Sequence, residues 1–108
     1  MKSDEELPHY RIVWTRLAQI RFREQQDHLA EVDYEQTALE WGEGIVAAVE
    51  QLQTFPMSGR IVPEISRSDI RELIYRKRFR VIYKVLDDTC YILSIRRGEK
   101  LITSLRSL

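Results

Sequence analysis

A run of cationic side chains precedes a strand-like pattern in the segment Tyr75–Val85, which reads YRKRFRVIYKV. The cations at its start are Arg76, Lys77, Arg78 and Arg80. Guanidinium groups are planar forks that bind phosphates and carboxylates through paired hydrogen bonds. Because clustered cations repel one another, we expect an anion to join them. The segment therefore predicts a recognition surface for an anionic target, and pairing with Glu64, Glu72 or Glu99 of the same chain is the alternative.

The charges are unevenly divided along the chain. Residues 1–54 hold 5 Lys or Arg and 11 Asp or Glu, a net of −6, whereas residues 55–108 hold 12 and 6, a net of +6. If each half forms its own layer, the molecule has an acidic back and a basic face. Attraction between the two halves is the alternative.

The composition is typical of a soluble globular domain. With 108 residues, 44% of them apolar and 31% charged, the chain is long enough for one core. We expect residues 9–108 to form a single domain and residues 1–8 to be a flexible acidic tail. A single cysteine, Cys90, and the lack of a long apolar run favour a cytoplasmic protein without a membrane segment. Neither a metal site nor a cofactor is expected, since His9 and His28 lie in different segments.

The elements that must position these cations follow from the apolar periodicity. Residues 9–14, HYRIVW, alternate as a short strand, and Thr15 offers an N-cap oxygen to a first helix. A second helix is predicted between Asp33, as its N-cap, and Pro56, which ends it. Its apolar positions recur every three or four residues, at Ala38, Trp41, Ile45, Ala48, Val49 and Leu52.

Three strand patterns follow the helices, namely IRELIY, FRVIYKVL and CYILSIR. The order β-α-α-β-β-β predicts an α+β fold, in which the N-terminal strand and a helix hairpin pack on one face of a mainly antiparallel sheet. The other face is then either open or covered by another segment.

The two-residue Asp-Asp loop sets the register of the last two strands. If Leu86 pairs with Thr89, strand alternation assigns each side chain to a face. The face against the helices is expected to hold Phe79, Val81, Tyr83, Val85, Cys90, Ile92 and Ser94. The opposite face is expected to hold Arg78, Arg80, Ile82, Lys84, Tyr91, Leu93, Ile95 and Arg97. On that face, Arg78, Arg80 and Arg97 should lie together at one end of an apolar floor.

Three glycines stand at positions that need a local explanation. Gly42 and Gly44 fall inside the second helix, where glycine is destabilising, and a close backbone contact would explain them. Gly59 lies in the turn-rich connector FPMSGRIVPEIS. We expect Gly59 to adopt a positive φ, which its neighbours would resist.

Several segments, taken in order, resemble the ParE/RelE toxins of bacterial type II toxin–antitoxin systems. They are LQTFPMSGRIVPE, IRELIYRKRFRVIYKV and YILSIRRGEK. The resemblance extends from Tyr10 to about Lys100 and is closer to the ParE branch. It implies a toxin held inactive in a hetero-oligomer by a cognate antitoxin, either ParD-like or another small DNA-binding protein. The implied target is DNA gyrase.

A RelE-type, metal-independent endoribonuclease that cleaves mRNA on the ribosome is the alternative within the resemblance. In that case Arg80, Arg97 and Arg71 are the candidate catalytic residues. RelE-type members also carry a late Tyr or His for acid/base chemistry, and this sequence has neither after Tyr91. Arginine stays protonated and cannot replace such a group. This departure favours a non-enzymatic gyrase inhibitor, and an inactive member that only binds antitoxin is the third reading.

The residues expected to bind the target or the antitoxin are basic or aromatic. They are Arg60, Tyr75, Arg76, Lys77, Arg78, Arg80, Tyr91, Arg96 and Arg97. Tyr75 and Tyr91 interleave with cations and can stack on a base. Arg80 lies nearest the apolar floor, so its replacement by Ala is expected to abolish toxicity and leave the fold intact.

Overall fold

The computed structural model describes residues 9–98 and 102–103, so the tail predicted for residues 1–8 lies outside the described part. Its elements are β1 (Arg11–Trp14), α1 (Arg16–Val32), α2 (Glu35–Glu50), a 3-10 turn (Gln51–Gln53), β2 (Arg60–Ile61), β3 (Ile70–Tyr75), β4 (Phe79–Leu86) and β5 (Thr89–Arg97). The predicted α+β class and the order of the elements are confirmed, and β2 is an additional short strand.

The five strands form one mixed sheet in the order β1-β5-β4-β3-β2. Strands β2 to β5 pair antiparallel, whereas β1 runs parallel to β5. In this parallel pair Arg11 lies opposite Thr89. The first strand of the chain therefore lies beside the last one, at an edge of the sheet.

Thr15 connects the start of α1 to the sheet. It is the N-cap of α1, as predicted, and its Oγ1 accepts a hydrogen bond from the Ala18 N–H at 3.2 Å. The same hydroxyl donates to the carbonyl oxygen of Ile92 in β5 at 2.7 Å. One side chain thus fixes both the first turn of the helix and its position on the sheet.

The predicted boundaries of α2 are wrong at both ends. Helix α1 extends to Val32, so Asp33 is the C-cap of α1, and its N–H bonds the carbonyl of Leu29. An N-cap needs extended backbone angles, which Tyr34 has with φ −134° and ψ 153°. At the other end, α2 passes into the 3-10 turn well before Pro56. The antiparallel arrangement of the two helices does not depend on these boundaries. It requires only a short link between them, which the structure has at residues 33–34.

The main core lies between the helices and the sheet. Its buried members from α1, α2 and the 3-10 turn are Ala18, Trp41, Ile45, Val49 and Leu52. Its members from β4 and β5 are Phe79, Val81, Tyr83, Val85, Cys90, Ile92 and Ile95. The apolar face predicted for the second helix therefore packs on the strands as expected.

The opposite face of the sheet is covered, which settles the alternative left open by the sequence. Val62 and Ile65, from the connector after β2, pack over Ile70 and Ile82 together with Ile102. Leu17 of α1 and Leu93 of β5 also pack against this second core.

A β-bulge in β5 changes the predicted register. Tyr83 lies opposite Ile92 as expected, but the register then shifts, and Ile82 lies opposite Ser94. Ser94 therefore belongs to the face opposite the helices, and Ile95 belongs to the main core. Beyond the bulge, the predicted assignment of every β5 side chain to a face is wrong, because one extra residue inverts the alternation.

The glycines mark close approaches between elements. A Cβ on Gly42 would lie 2.5 Å from Gln26 Nε2 and 3.0 Å from Phe22 Cζ, so the two helices approach each other closely at this position. No glycine of the described residues has a positive φ, so that prediction for Gly59 is wrong. Gly59 is needed for space, since its Cβ would lie 2.6 Å from the Glu72 carbonyl oxygen.

Candidate functional site

Arg80 lies in a buried ion-pair network. Its side chain is 6% exposed, and its Nε donates a hydrogen bond to Oε1 of Glu72 at 2.6 Å. Its Nη1 and Nη2 donate to the two carboxylate oxygens of Glu64, at 2.8 and 2.6 Å. For Arg80, the structure therefore contains the pairing within the chain that was the alternative to an open recognition site.

Glu72 is the most buried member of this network. Its side chain is 0% exposed, and its Oε2 accepts a hydrogen bond from Nε of Arg60 at 2.6 Å, while Arg60 is 58% exposed. A buried carboxylate is destabilising unless cations and hydrogen bonds satisfy it, so Glu72 requires these arginines. The ion-pair network, as the term is used below, consists of Arg60, Glu64, Glu72 and Arg80.

Glu64 remains ionised far into the acid range. Hydrogen bonds from Arg80 lower its pKa from 4.5 to about 2, although burial acts in the opposite direction. The carboxylates of Glu64 and Glu72 in turn raise the pKa of Arg80. The backbone N–H of Ile102 also donates to Oε2 of Glu64, at 3.3 Å. Glu64 therefore neutralises Arg80 and holds the buried Ile102 over the sheet.

The predicted cluster of Arg78, Arg80 and Arg97 does not form. The bulge places Arg97 opposite Phe79 and Arg96 opposite Arg80. Burial and the charges of Arg80 and Arg21 lower the pKa of Arg96, as expected for neighbouring cations. The β5 cation on the Arg80 side of the sheet is therefore Arg96.

A basic groove opens beside the ion-pair network, with a volume of about 630 Å³. The residues that line it are Arg60, Pro63, Glu64, Ile74, Lys77, Arg78, Arg80 and Gly98. Lys77 and Arg78 are exposed, and Ile74 is 47% exposed on the groove surface. The groove therefore combines exposed cations with an apolar floor, and it contains four of the predicted binding residues, two of which belong to the ion-pair network.

The turn between β3 and β4 carries three exposed cations, Arg76, Lys77 and Arg78, and is called the basic turn below. Its first two residues adopt positive φ angles of 52° and 61°, and the Arg78 N–H closes the turn on the Tyr75 carbonyl oxygen at 3.1 Å. The guanidinium of Arg76 lies 5.2 Å from the centre of the Tyr75 ring. The ring of Tyr75 packs against α2 at Gly44, where a Cβ would overlap the Tyr75 hydroxyl.

The three candidate catalytic residues do not converge. The pairing of Arg71 with Tyr83 and of Arg97 with Phe79 places both on the sheet face of the main core, opposite to Arg80. Arg71 supports the connector instead, because its Nη1 donates to the Gly59 carbonyl oxygen at 3.0 Å. Tyr91, a predicted binding residue, is half-buried and does not line the groove.

Two features of the site were missed from the sequence, namely the burial of Glu72 and the left-handed backbone of the basic turn. Glu72 shares its strand face with Ile70 and Ile74, and this polar residue in an apolar alternation is the signal that could have marked a buried acid. The positive φ angles of Arg76 and Lys77 have no such signal, because Arg-Lys is not a typical sequence for that turn.

Within the described residues, no helix has the length and apolar character needed to cross a bilayer. Over the same residues, no group of three or more His, Cys, Asp or Glu side chains could hold a metal ion.

The fold and the groove define a small α+β protein with a basic groove on one face of its sheet. A family model described as the ParE toxin of the type II toxin-antitoxin system, parDE, matches residues 12–102, and the chain belongs to this family. A solved structure titled the chromosomal ParDE TA system from P. aeruginosa is similar to it, with a TM-score of 0.72 and 26% sequence identity. That match covers 84% of this chain and 98% of the other. No curated protein matches the chain. The family resemblance read from the sequence is therefore confirmed.

Proposed function

We propose that this protein is a toxin that inhibits DNA gyrase by binding it, without RNA cleavage, and that a cognate antitoxin keeps it inactive in a cytoplasmic hetero-oligomer. The observation that carries the proposal is the closure of Arg80 by Glu64 and Glu72. Membership of the ParE family and the similarity to a protein from a ParDE system support it.

RNA cleavage needs a cation on the scissile phosphate and a group that exchanges protons near neutral pH. Arg80 already donates three of its nitrogens to carboxylates, so a phosphate would have to displace Glu64. That exchange is unfavourable, because the pKa of Glu64 is lowered to about 2 and its carboxylate stays ionised at cellular pH. Lys77 and Arg78 are accessible in the groove, but neither is a Tyr or His of the kind that RelE-type members use for acid/base chemistry. The site favours binding over catalysis.

The antitoxin is proposed to contact the outer side of the helix hairpin. A groove of about 380 Å³ there is lined by Phe22, Leu39 and Val46 among others, and Leu39 is 55% exposed. An amphipathic segment that folds on contact could bury these side chains with its apolar face. Its acidic side chains would then be free to meet exposed cations at the edge of the hairpin, such as Arg23.

The test compares two activities of the purified toxin. Gyrase supercoiling of relaxed plasmid should fall in the presence of the toxin and recover when the antitoxin is added. When the toxin is added to ribosomes that are translating a defined mRNA, that mRNA should remain uncut. Ribosome-dependent cuts with unaffected supercoiling would contradict the proposal and favour the endoribonuclease reading. In cells, gyrase inhibition predicts filamentation with DNA damage signalling, whereas mRNA cleavage predicts rapid translation arrest.

A further inference from the structure

Several residues in and around the basic turn are unfavourable for the local structure that they adopt. Arg76 and Lys77 both hold a left-handed backbone, with φ angles of 52° and 61°, which branched and long side chains adopt at a cost in free energy. Turn positions with a left-handed backbone normally hold Gly, Asn or Asp, which adopt it at little cost. The sequence Arg-Lys is therefore not explained by the turn itself.

Gly44 is a third residue that is unfavourable for local structure, and it too supports the basic turn. It lies inside α2, where glycine destabilises a helix relative to alanine. A Cβ at this position would overlap the Tyr75 hydroxyl, so Gly44 makes room for the Tyr75 ring. That ring in turn lies under the Arg76 guanidinium at 5.2 Å. The base of the turn is thus fixed against the helix, and the cation next to it is held in place.

None of the three cations is needed to build the fold. Arg76, Lys77 and Arg78 are all exposed, and neither the ion-pair network nor the two cores include them. Residues that are unfavourable for local structure and do not stabilise the fold in another way are expected at functional sites. We propose that the basic turn is the element that contacts the toxin's target, and that it binds an acidic segment of a protein. This inference rests on the proposed function, because it assigns the surface through which the toxin acts.

The groove beside the turn indicates the chemical class of the ligand. Lys77 and Arg78 lie at its rim, while Ile74 and Pro63 provide an apolar floor. The floor suits an apolar side chain between carboxylates, which a peptide offers and a phosphodiester backbone does not. None of the described residues that line the groove is aromatic, so a stacking platform for a base is absent there. An acidic protein segment therefore fits the groove better than a nucleic acid.

Three variants separate the roles of charge and of backbone strain. Arg76→Asn/Lys77→Gly removes both, so it should raise the melting temperature and weaken binding to purified gyrase by tenfold or more. Arg76→Gln/Lys77→Gln removes only the charges, so binding should fall as much without a gain in melting temperature. Asp87→Gly is the matched control, because Asp87 has a φ of 55° in the turn between β4 and β5. Because Asp holds this angle at little cost, Asp87→Gly should not raise the melting temperature and should leave binding unchanged.

If wild-type toxin does not bind gyrase, the proposed function fails, and the same variants are compared for growth arrest after induced expression. Growth arrest lost in both turn variants and kept in Asp87→Gly would support the turn independently of gyrase. Turn variants that bind gyrase and arrest growth like wild type would overturn the inference, as would variants that lose only antitoxin binding. If duplex DNA without protein binds wild type and discriminates the variants equally, the assignment to an acidic protein segment is overturned.

Discussion

Glu72 and Arg80 lie diagonally across β3 and β4, with Arg80 Nε 2.6 Å from Glu72 Oε1 and both side chains removed from solvent. Their neighbours in the cross-strand pairs are Ile82 and Ile74. A carboxylate in such a position depends on its cation, whereas an exposed recognition arginine would not be essential to the fold. The relationship therefore changes the prediction made from sequence for this arginine.

Arg80→Ala should destabilise the protein strongly. The substitution leaves Glu72 buried without its main cation, and breaking a buried pair in this way costs about 3–5 kcal/mol. The measurement is the free energy of unfolding in urea. Arg60→Ala is the comparison and should cost less than Arg80→Ala, because Arg60 is 58% exposed and its loss leaves Arg80 paired with Glu72. An Arg80→Ala protein with wild-type stability and no toxicity would instead make Arg80 a recognition residue, as the sequence indicated.

Glu64→Gln should make stability less dependent on acid pH. The folded-state pKa of Glu64 is lowered from 4.5 to about 2, so the carboxylate stabilises the fold above pH 4.5 and loses this effect as the pH falls towards 2. The wild-type advantage over Glu64→Gln should be largest at neutral pH and shrink as the pH approaches the folded pKa, and it should be smaller than the full pKa shift implies because solvent screens this exposed residue. Unfolding curves at a series of pH values measure the difference. Glu31→Gln, at an exposed position of α1, controls for the loss of one negative charge. A pH-independent difference would mean that Glu64 is not held ionised by Arg80.

Gly44→Ala should destabilise the wild type but stabilise a Tyr75→Ala variant. Alanine favours the helix by about 1 kcal/mol over glycine. In the wild type this gain is offset because the new Cβ displaces the Tyr75 ring. In the Tyr75→Ala background the space is free and the gain should appear. Urea unfolding of the four proteins gives the coupling energy, and additive effects would refute the proposed contact.

Leu52→Ala should cost about 2–5 kcal/mol, because it leaves a cavity in the main core. Leu52 is 0% exposed and packs between the helices and the strands. Leu39→Ala is the matched control, since Leu39 is 55% exposed and should change stability by less than about 0.5 kcal/mol. Equal losses for the two variants, measured by urea unfolding, would show that this assignment of the core is incorrect.

The fold was predictable where one periodic pattern decides the outcome. The spacing of Trp41, Ile45 and Val49 identified the buried face of α2, and Thr15 was recognisable as a cap from its type alone. The bulge in β5 was not predictable from the sequence. Hairpin register is set at the loop, and a residue inserted further along the strand has no signature there. Residues 90–93, CYIL, form one continuous apolar run, so no local break in the alternation marks the bulged residue.

The site was predictable in composition but not in geometry. The cationic run identified Lys77 and Arg78 as groove residues, yet it gave the greatest weight to Arg80, which is buried. The difference depends on Glu64, whose carboxylate reaches Arg80 from a connector sixteen residues away. Side-chain pairs between irregular segments and strands depend on tertiary structure, so local sequence patterns do not determine them.

The pairing of β1 with β5 has a consequence for synthesis of the protein. Thr15 and Ile92 are hydrogen-bonded although they lie 77 positions apart in the chain. Contacts of such separation form late, because loop closure must precede them. On the ribosome, β1 and α1 emerge first but have no strand to pair with until β5 has followed. The complete sheet, and any surface that depends on it, can therefore appear only when translation of the domain is nearly finished.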